Sequence, residues 1–151
     1  MPSYLTEKFN KMQVSLQSLL TPSKEVEVDY SSDKSGFKVK VAFLSREELI
    51  KLRKKCVTTK FDKRTRQPVE ELNEELFTKN YVAAVVKGWT GLKYAYLADL
   101  MLVDLSTIKN MEEELEFTEE NALVLMKNST EFDGFITDIT SDLTNFRKFS
   151  A

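Results

Sequence analysis

Two runs of strict alternation near the start of the chain constrain its fold more than any other feature. Val26, Val28 and Tyr30 alternate with Glu25, Glu27 and Asp29; Phe37, Val39, Val41 and Phe43 then alternate around Lys38 and Lys40. A period of two puts one set of side chains on each face of a strand. Between the runs lies the turn-rich segment Ser31-Ser32-Asp33-Lys34-Ser35-Gly36, so the pair reads as a β-hairpin. The acidic outer face of one strand would lie against the basic outer face of the other, which favours pairing modestly. A lone hairpin is marginal in water, so helices must cover its apolar face.

The remaining pattern is helical. Four Gly and three Pro in 151 residues disfavour a sandwich full of tight turns. Ahead of the hairpin, Leu5, Phe9, Met12, Leu16 and Leu19 recur at helical spacing between Pro2 and Pro22 and predict an amphipathic helix over residues 1–22. Such a stripe packs on its parent domain or forms a self-association seam, and its short length favours the first. Ser45-Arg46-Glu47-Glu48 is a capping box that starts a helix carrying Leu49, Ile50, Leu52, Cys56 and Val57. Residues 60–68 hold few apolar side chains and read as a loop. A second helix is predicted from about Glu70 to Lys87, with Leu72, Leu76, Phe77, Tyr81, Ala84 and Val85 on one face, Val82 and Val86 widening it, and Gly88 as its C-terminal cap.

From Trp89 to Leu105 the apolar residues are too crowded for a clean period, and a short strand or an irregular buried segment fits equally well. Thr118 then caps a short helix with Glu119 and Glu120 in its first turn and Ala122, Leu123 and Met126 inside. Ser129 or Thr130 caps a last helix with the cleanest stripe in the chain: Phe132, Phe135, Ile136, Ile139, Leu143 and Phe146. The sum is an α+β fold, a mostly helical single domain over residues 23–151 with a two-stranded β-hairpin, preceded by the 1–22 helix. No apolar run nears the roughly 20 residues that span a bilayer. Glu7, Lys8, Asn10 and Lys11 interrupt any signal-peptide core, so a cytosolic protein without membrane contact is expected.

The chemistry on offer is narrow. There is no histidine, and Cys56 is the one cysteine. That removes the commonest general base, Cys/His zinc sites, Ser-His and Cys-His pairs, and an intrachain disulfide. Asp62, Asp99 and Asp104 are the carboxylates to weigh for catalysis, and the apolar surroundings of Asp99 and Asp104 predict burial of one of them. No recognisable motif surrounds them, and bonding to backbone amides at turns or helix ends explains them better. A non-enzymatic protein without metal or cofactor is expected.

Charge is segregated. From Arg46 to Arg66 nine cations, Arg46, Lys51, Arg53, Lys54, Lys55, Lys60, Lys63, Arg64 and Arg66, face only Glu47, Glu48 and Asp62; from Glu112 to Asp142 the acids stand against Lys127 alone. The two stretches read as a docking surface for an oppositely charged protein or for head-to-tail self-association, or as solvated faces that attract one another within the fold. With a net charge of −2, Phe61 as the one aromatic among the cations and an acidic second half, a nucleic-acid partner is not expected.

Read in order, several segments resemble the tail assembly chaperones of long-tailed, siphovirus-type bacteriophages. They are Phe37-Lys38-Val39-Lys40-Val41, Leu44-Ser45-Arg46-Glu47-Glu48-Leu49, Phe61-Asp62, Lys87-Gly88-Trp89-Thr90-Gly91-Leu92, Phe117-Thr118-Glu119-Glu120-Asn121-Ala122 and the helix from Phe132 to Phe146. The resemblance spans roughly residues 25–149. It implies a protein of the host bacterial cytoplasm, absent from the mature virion, that binds the tape measure protein during tail assembly. It also implies a longer, frameshifted form that recruits tail tube protein. The alternative is a small structural or adaptor subunit of a phage particle. A helical client would need an apolar groove rimmed by charge. Trp89, Leu92, Tyr94, Tyr96 and Leu97 are the candidates for it, and an equal claim is that they anchor the core.

Overall fold

A computed structural model of the chain describes residues 14–19, 23–142 and 146. Its elements are α1 (Leu16–Leu19), β1 (Ser23–Asp29), β2 (Lys38–Leu44), α2 (Arg46–Lys54), β3 (Val57–Asp62), β4 (Gln67–Leu72), α3 (Glu74–Val85), β5 (Val86–Thr90), α4 (Tyr94–Leu100), α5 (Glu119–Asn128) and α6 (Thr130–Ser141). The fold is a mixed α+β single domain.

The expected hairpin is β1–β2, in antiparallel register with Val26 opposite Val41 and Val28 opposite Val39. Glu27 stands opposite Lys40 and Asp29 opposite Lys38, as the charge pattern required. A third strand joins it. β5 pairs antiparallel with the other edge of β2, placing Trp89 opposite Val39, and a register shift leaves Lys87 as the extra residue of a bulge. The sheet order is β1-β2-β5. Its inner face, with Val26, Val39 and Val41 buried, lies under α3 and α6, while Lys38 and Lys40 stay exposed on the outer face.

Phe132 and Ile136 of α6, fully buried, meet Val82 and Val85 of α3, Ala122, Leu125 and Met126 of α5, and Leu97 and Leu100 of α4 in one core. Phe146 belongs to the same core, its ring 5.2 Å from that of Phe43. Leu143 lies outside the described residues, as do Leu5, Phe9 and Met12 of the N-terminal stripe. Leu16 and Leu19 of that stripe are exposed on α1.

The helix starts follow local chemistry. Ser45 Oγ accepts from the Glu48 amide at 3.2 Å, Thr118 Oγ1 from the Asn121 amide at 2.9 Å and Ser129 Oγ from the Phe132 amide at 3.0 Å. Of the two candidates, then, Ser129 caps α6.

Four expectations change. The helix that starts at Ser45 stops at Lys54 and does not carry Cys56 and Val57, because Val57 opens β3. The 60–68 loop is the tip and flanks of a second antiparallel hairpin, β3–β4, with Phe61 opposite Pro68 and Val57 opposite Leu72. The helix expected from Glu70 begins later, because Glu70–Leu72 complete β4 and Asn73 Oδ1 accepts from the Leu76 amide to cap α3. It also ends earlier. Val86 leaves the helix to pair with Val41, so Gly88 sits in a strand beside Lys40 and not at a cap.

Gly91 has a left-handed φ of +76°, and a Cβ there would run into the Gly36 carbonyl. Gly134, inside α6, has open space where its Cβ would be. The two glycines should respond oppositely to Ala in urea denaturation. Gly91→Ala should destabilise by more than about 1 kcal/mol, and Gly134→Ala should stabilise by roughly 0.5–1 kcal/mol.

Candidate functional site

The aromatic segment expected to meet a partner is divided between core and rim. Trp89, Leu92 and Leu97 are buried at 7%, 0% and 8% exposure, whereas Tyr94 and Tyr96 are half-buried and pack against the core from its edge. Trp89 Nε1 donates to the Leu115 carbonyl at 2.9 Å, and its ring meets Phe117 edge-on at 4.9 Å. That hydrogen bond allows an indole to sit inside without an unpaired donor. Leu115 in turn donates its amide to the Leu92 carbonyl at 2.7 Å. The hydroxyl of Tyr96 donates to the Ser35 carbonyl at 2.8 Å, tying α4 to the β1–β2 turn. In this fold a partner arriving at the segment meets Tyr94 and Tyr96, because packing has already used the faces of Trp89, Leu92 and Leu97.

The three weighed carboxylates are not brought together. Asp62 Oδ1 accepts from the Arg64 amide at 2.8 Å in the β3–β4 turn, and Asp104 Oδ1 accepts from the Ser106 amide at 3.0 Å. The hydrogen bonds from Ser106 hold the Asp104 carboxyl below the usual range. Neither Asp99 nor Asp104 is buried, contrary to expectation, since α4 turns its apolar side inward and leaves Asp99 outside. Asp99 lies 3.8 Å from Lys34 Nζ. No group of three or more acids and cysteines suited to a metal occurs among the described residues.

Lys34 was not legible in the sequence. Its side chain is 5% exposed, with Nζ 3.2 Å from Asp33 Oδ2 and 5.9 Å from the centre of the Tyr30 ring. Tyr30 is stacked on Phe37 at 4.9 Å and packs beside Phe135 at 4.6 Å. Its hydroxyl is buried and makes no hydrogen bond among the described residues. Burial first, and then the Glu131 carboxylate, push its ionisation well above the ordinary tyrosine value. These residues fasten the turn between β1 and β2 to α4 and α6.

Two exposed features remain. A mainly apolar groove of about 200 Å³ runs between α2, α3 and α6, lined by Leu44, Leu49, Tyr81, Val85, Thr137, Thr140 and Ser141. The β3–β4 hairpin stands away from the core with Phe61 at 66% exposure and Val69 at 46%. Cys56, fully buried as expected, sits at its base: the Cys56 carbonyl accepts from the Asn73 amide at 2.8 Å, and its Sγ lies 3.5 Å from Asn80 Nδ2. The groove has no sequence signature, since its lining comes from residues almost a hundred positions apart.

Residues 46–151 match a family model described as YdaY prophage protein. No curated protein and no solved structure matches the chain.

Tyr30 provides a pH test. An ordinary tyrosine ionises near 10.0, and this one ionises higher when folded. The unfolded chain therefore releases that proton first as pH rises, and the folded state loses stability from about pH 10 upward. Tyr30→Phe should remove this share of the loss, seen as a smaller fall in Tm between about pH 8 and pH 11. At pH 8 the same variant should stay within about 1 kcal/mol of the parent, because the ring packing is kept and a hydroxyl contact of this kind contributes only about 0.5–1.5 kcal/mol net.

Proposed function

Because this chain belongs to the YdaY prophage protein family, which makes it a phage-derived protein, we propose that it is a phage tail assembly chaperone. In this reading it binds the tape measure protein in the host bacterial cytoplasm, keeps that long helical chain from aggregating, and is left out of the mature virion. It acts by binding, without catalysis or cofactor. A longer form made by frameshifting would bring in tail tube protein.

The observation that carries the proposal is the prophage family match over residues 46–151. It overlaps most of the segments through which the sequence resembles tail assembly chaperones. The groove between α2, α3 and α6 supports it in kind. Leu44, Leu49, Tyr81 and Val85 offer an apolar floor, Thr137, Thr140 and Ser141 a polar wall, and the exposed Glu47 and Arg46 lie at the adjoining start of α2. A helix carrying an apolar stripe presents side chains suited to such a groove, one anchor at a time. Weak contacts repeated along a long client would add through avidity.

Co-expression with the tape measure protein of the same prophage tests this. The client should move from the insoluble to the soluble fraction and co-purify with the tagged chain, and purified virions should lack the chain. Leu49 is 37% exposed, so Leu49→Asp should leave the melting temperature nearly unchanged while reducing the co-purified client several-fold. A client that stays insoluble with the chain present would sink the chaperone reading. Recovery of the chain in washed virions would make it a structural subunit instead.

A further inference from the structure

Among the described residues, the β3–β4 hairpin is an arm whose two strands contact chiefly each other. The residues between its base and its tip are exposed on both strands, and only Val57 and Leu72 at the base are half-buried. Register places Phe61 and Pro68 side by side on one face, far from that base. The turn beyond them carries Lys63, Arg64 and Arg66, all exposed and none in an ion pair among the described residues. Arg66 takes a left-handed φ of 57°, and its amide and that of Arg64 are both bound by Asp62, which fixes the shape of this cationic tip. Lys60 is already engaged by Glu71 at 2.8 Å on the opposite face. A two-stranded ribbon with an exposed phenylalanine and three free cations has little reason to be ordered by its own burial.

The complementary surface lies on the same chain at the other end of α3. Glu113, Glu114, Glu116, Glu119 and Glu120 are exposed and form no ion pair among the described residues, while their neighbour Glu112 is held by Lys93 at 2.7 Å. Met111, 37% exposed, adjoins them. The relative placement of the two surfaces follows from α5. Leu123 and Lys127 of α5 share one depression with Asn73, Glu75, Leu76 and Lys79 at the start of α3, while Phe117, just before α5, packs on Trp89, just past the end of α3, so α5 runs antiparallel to α3. Its C-terminal half is at the arm's end of the domain, and its acidic N-terminus is at the far end. The bond from Trp89 to Leu115 puts the acidic strip beyond the C-terminus of α3 by a second route. The 12 residues of α3 by themselves measure about 18 Å from end to end.

We infer that the arm of one copy docks on the acidic 111–120 strip of a second copy, with Lys63, Arg64 and Arg66 against the glutamates and Phe61 against Met111. The two surfaces differ, so the contact is heterologous, and each added copy leaves one arm and one strip free for the next. Charge complementarity selects the pairing and its direction. The inference does not rest on the chaperone reading, and its readouts contain no client.

Sedimentation velocity of the full-length protein over a concentration series tests it. In about 0.05 M salt the mass should rise with concentration, and in about 0.5 M salt it should fall toward that of a single chain, because screening shortens the reach of these charges. The triple variants K63E/R64E/R66E and E113K/E114K/E116K should each be single chains in low salt, with circular dichroism unchanged. Mixed in equal amounts, they should associate again, since each restores the charge its partner needs. A parent protein that stays a single chain in low salt would overturn the inference. So would association that ignores salt, association by either variant alone, or a mixture that fails to associate.

Discussion

The domain depends on the burial of β2. It is the central strand of the sheet, bonded to β1 on one edge and β5 on the other, and Phe37, Val39 and Val41 at and along it are fully buried. A strand with one face in the core cannot slip by a single residue, because a slip would turn Lys38 and Lys40 inward. Fixed in this way, β2 sets the height of α3 and α6 above the sheet. Phe132 and Ile136 from α6 and Val82 and Val85 from α3 then fill the layer between.

The irregular stretch that follows α4 is held to this frame by polar contacts. Trp89 reaches the Leu115 carbonyl, and the amides of Tyr94 and Ala95 at the start of α4 donate to the carbonyls of Glu113 and Met111 at 3.0 Å each. Those amides would otherwise be orphaned, since Lys93 at the cap position provides no side-chain acceptor. Backbone from residues 111–113 therefore replaces a capping side chain. The same contacts present the acidic strip outward, so the packing of Trp89 and the electrostatics of the surface are linked.

Much of this was legible beforehand. The β1–β2 hairpin with its inner and outer faces, the caps at Ser45 and Thr118 and the stripe of α6 each follow from periodicity or from residues within a few positions of one another. The prophage family match agrees with the phage resemblance at the level of origin. Less visible were β5, α4 and the arm. Val86 to Thr90 reads as the end of a helix until β2 is present to pair with it. The arm buries little, so it leaves no apolar period, and Pro68 with the cations around it looks like a loop. For the aromatic segment the sequence kept two readings in balance, and the structure puts Trp89, Leu92 and Leu97 in the core with Tyr94 and Tyr96 at its rim.

Local pattern by itself determined the α+β class, the hairpin, the starts of α2 and α5, the burial of Cys56 and the division of charge along the chain. These rest on side-chain periodicity and on hydrogen bonds across three residues, which any chain with this sequence must satisfy wherever it folds. Tertiary structure alone decided which apolar residues are core and which remain on the surface, and that the cationic turn and the acidic strip lie at opposite ends of α3. The reason is that burial is a property of neighbours far apart in sequence. A tryptophan or a lysine carries no sign of whether a distant carbonyl or carboxylate will be there to receive it.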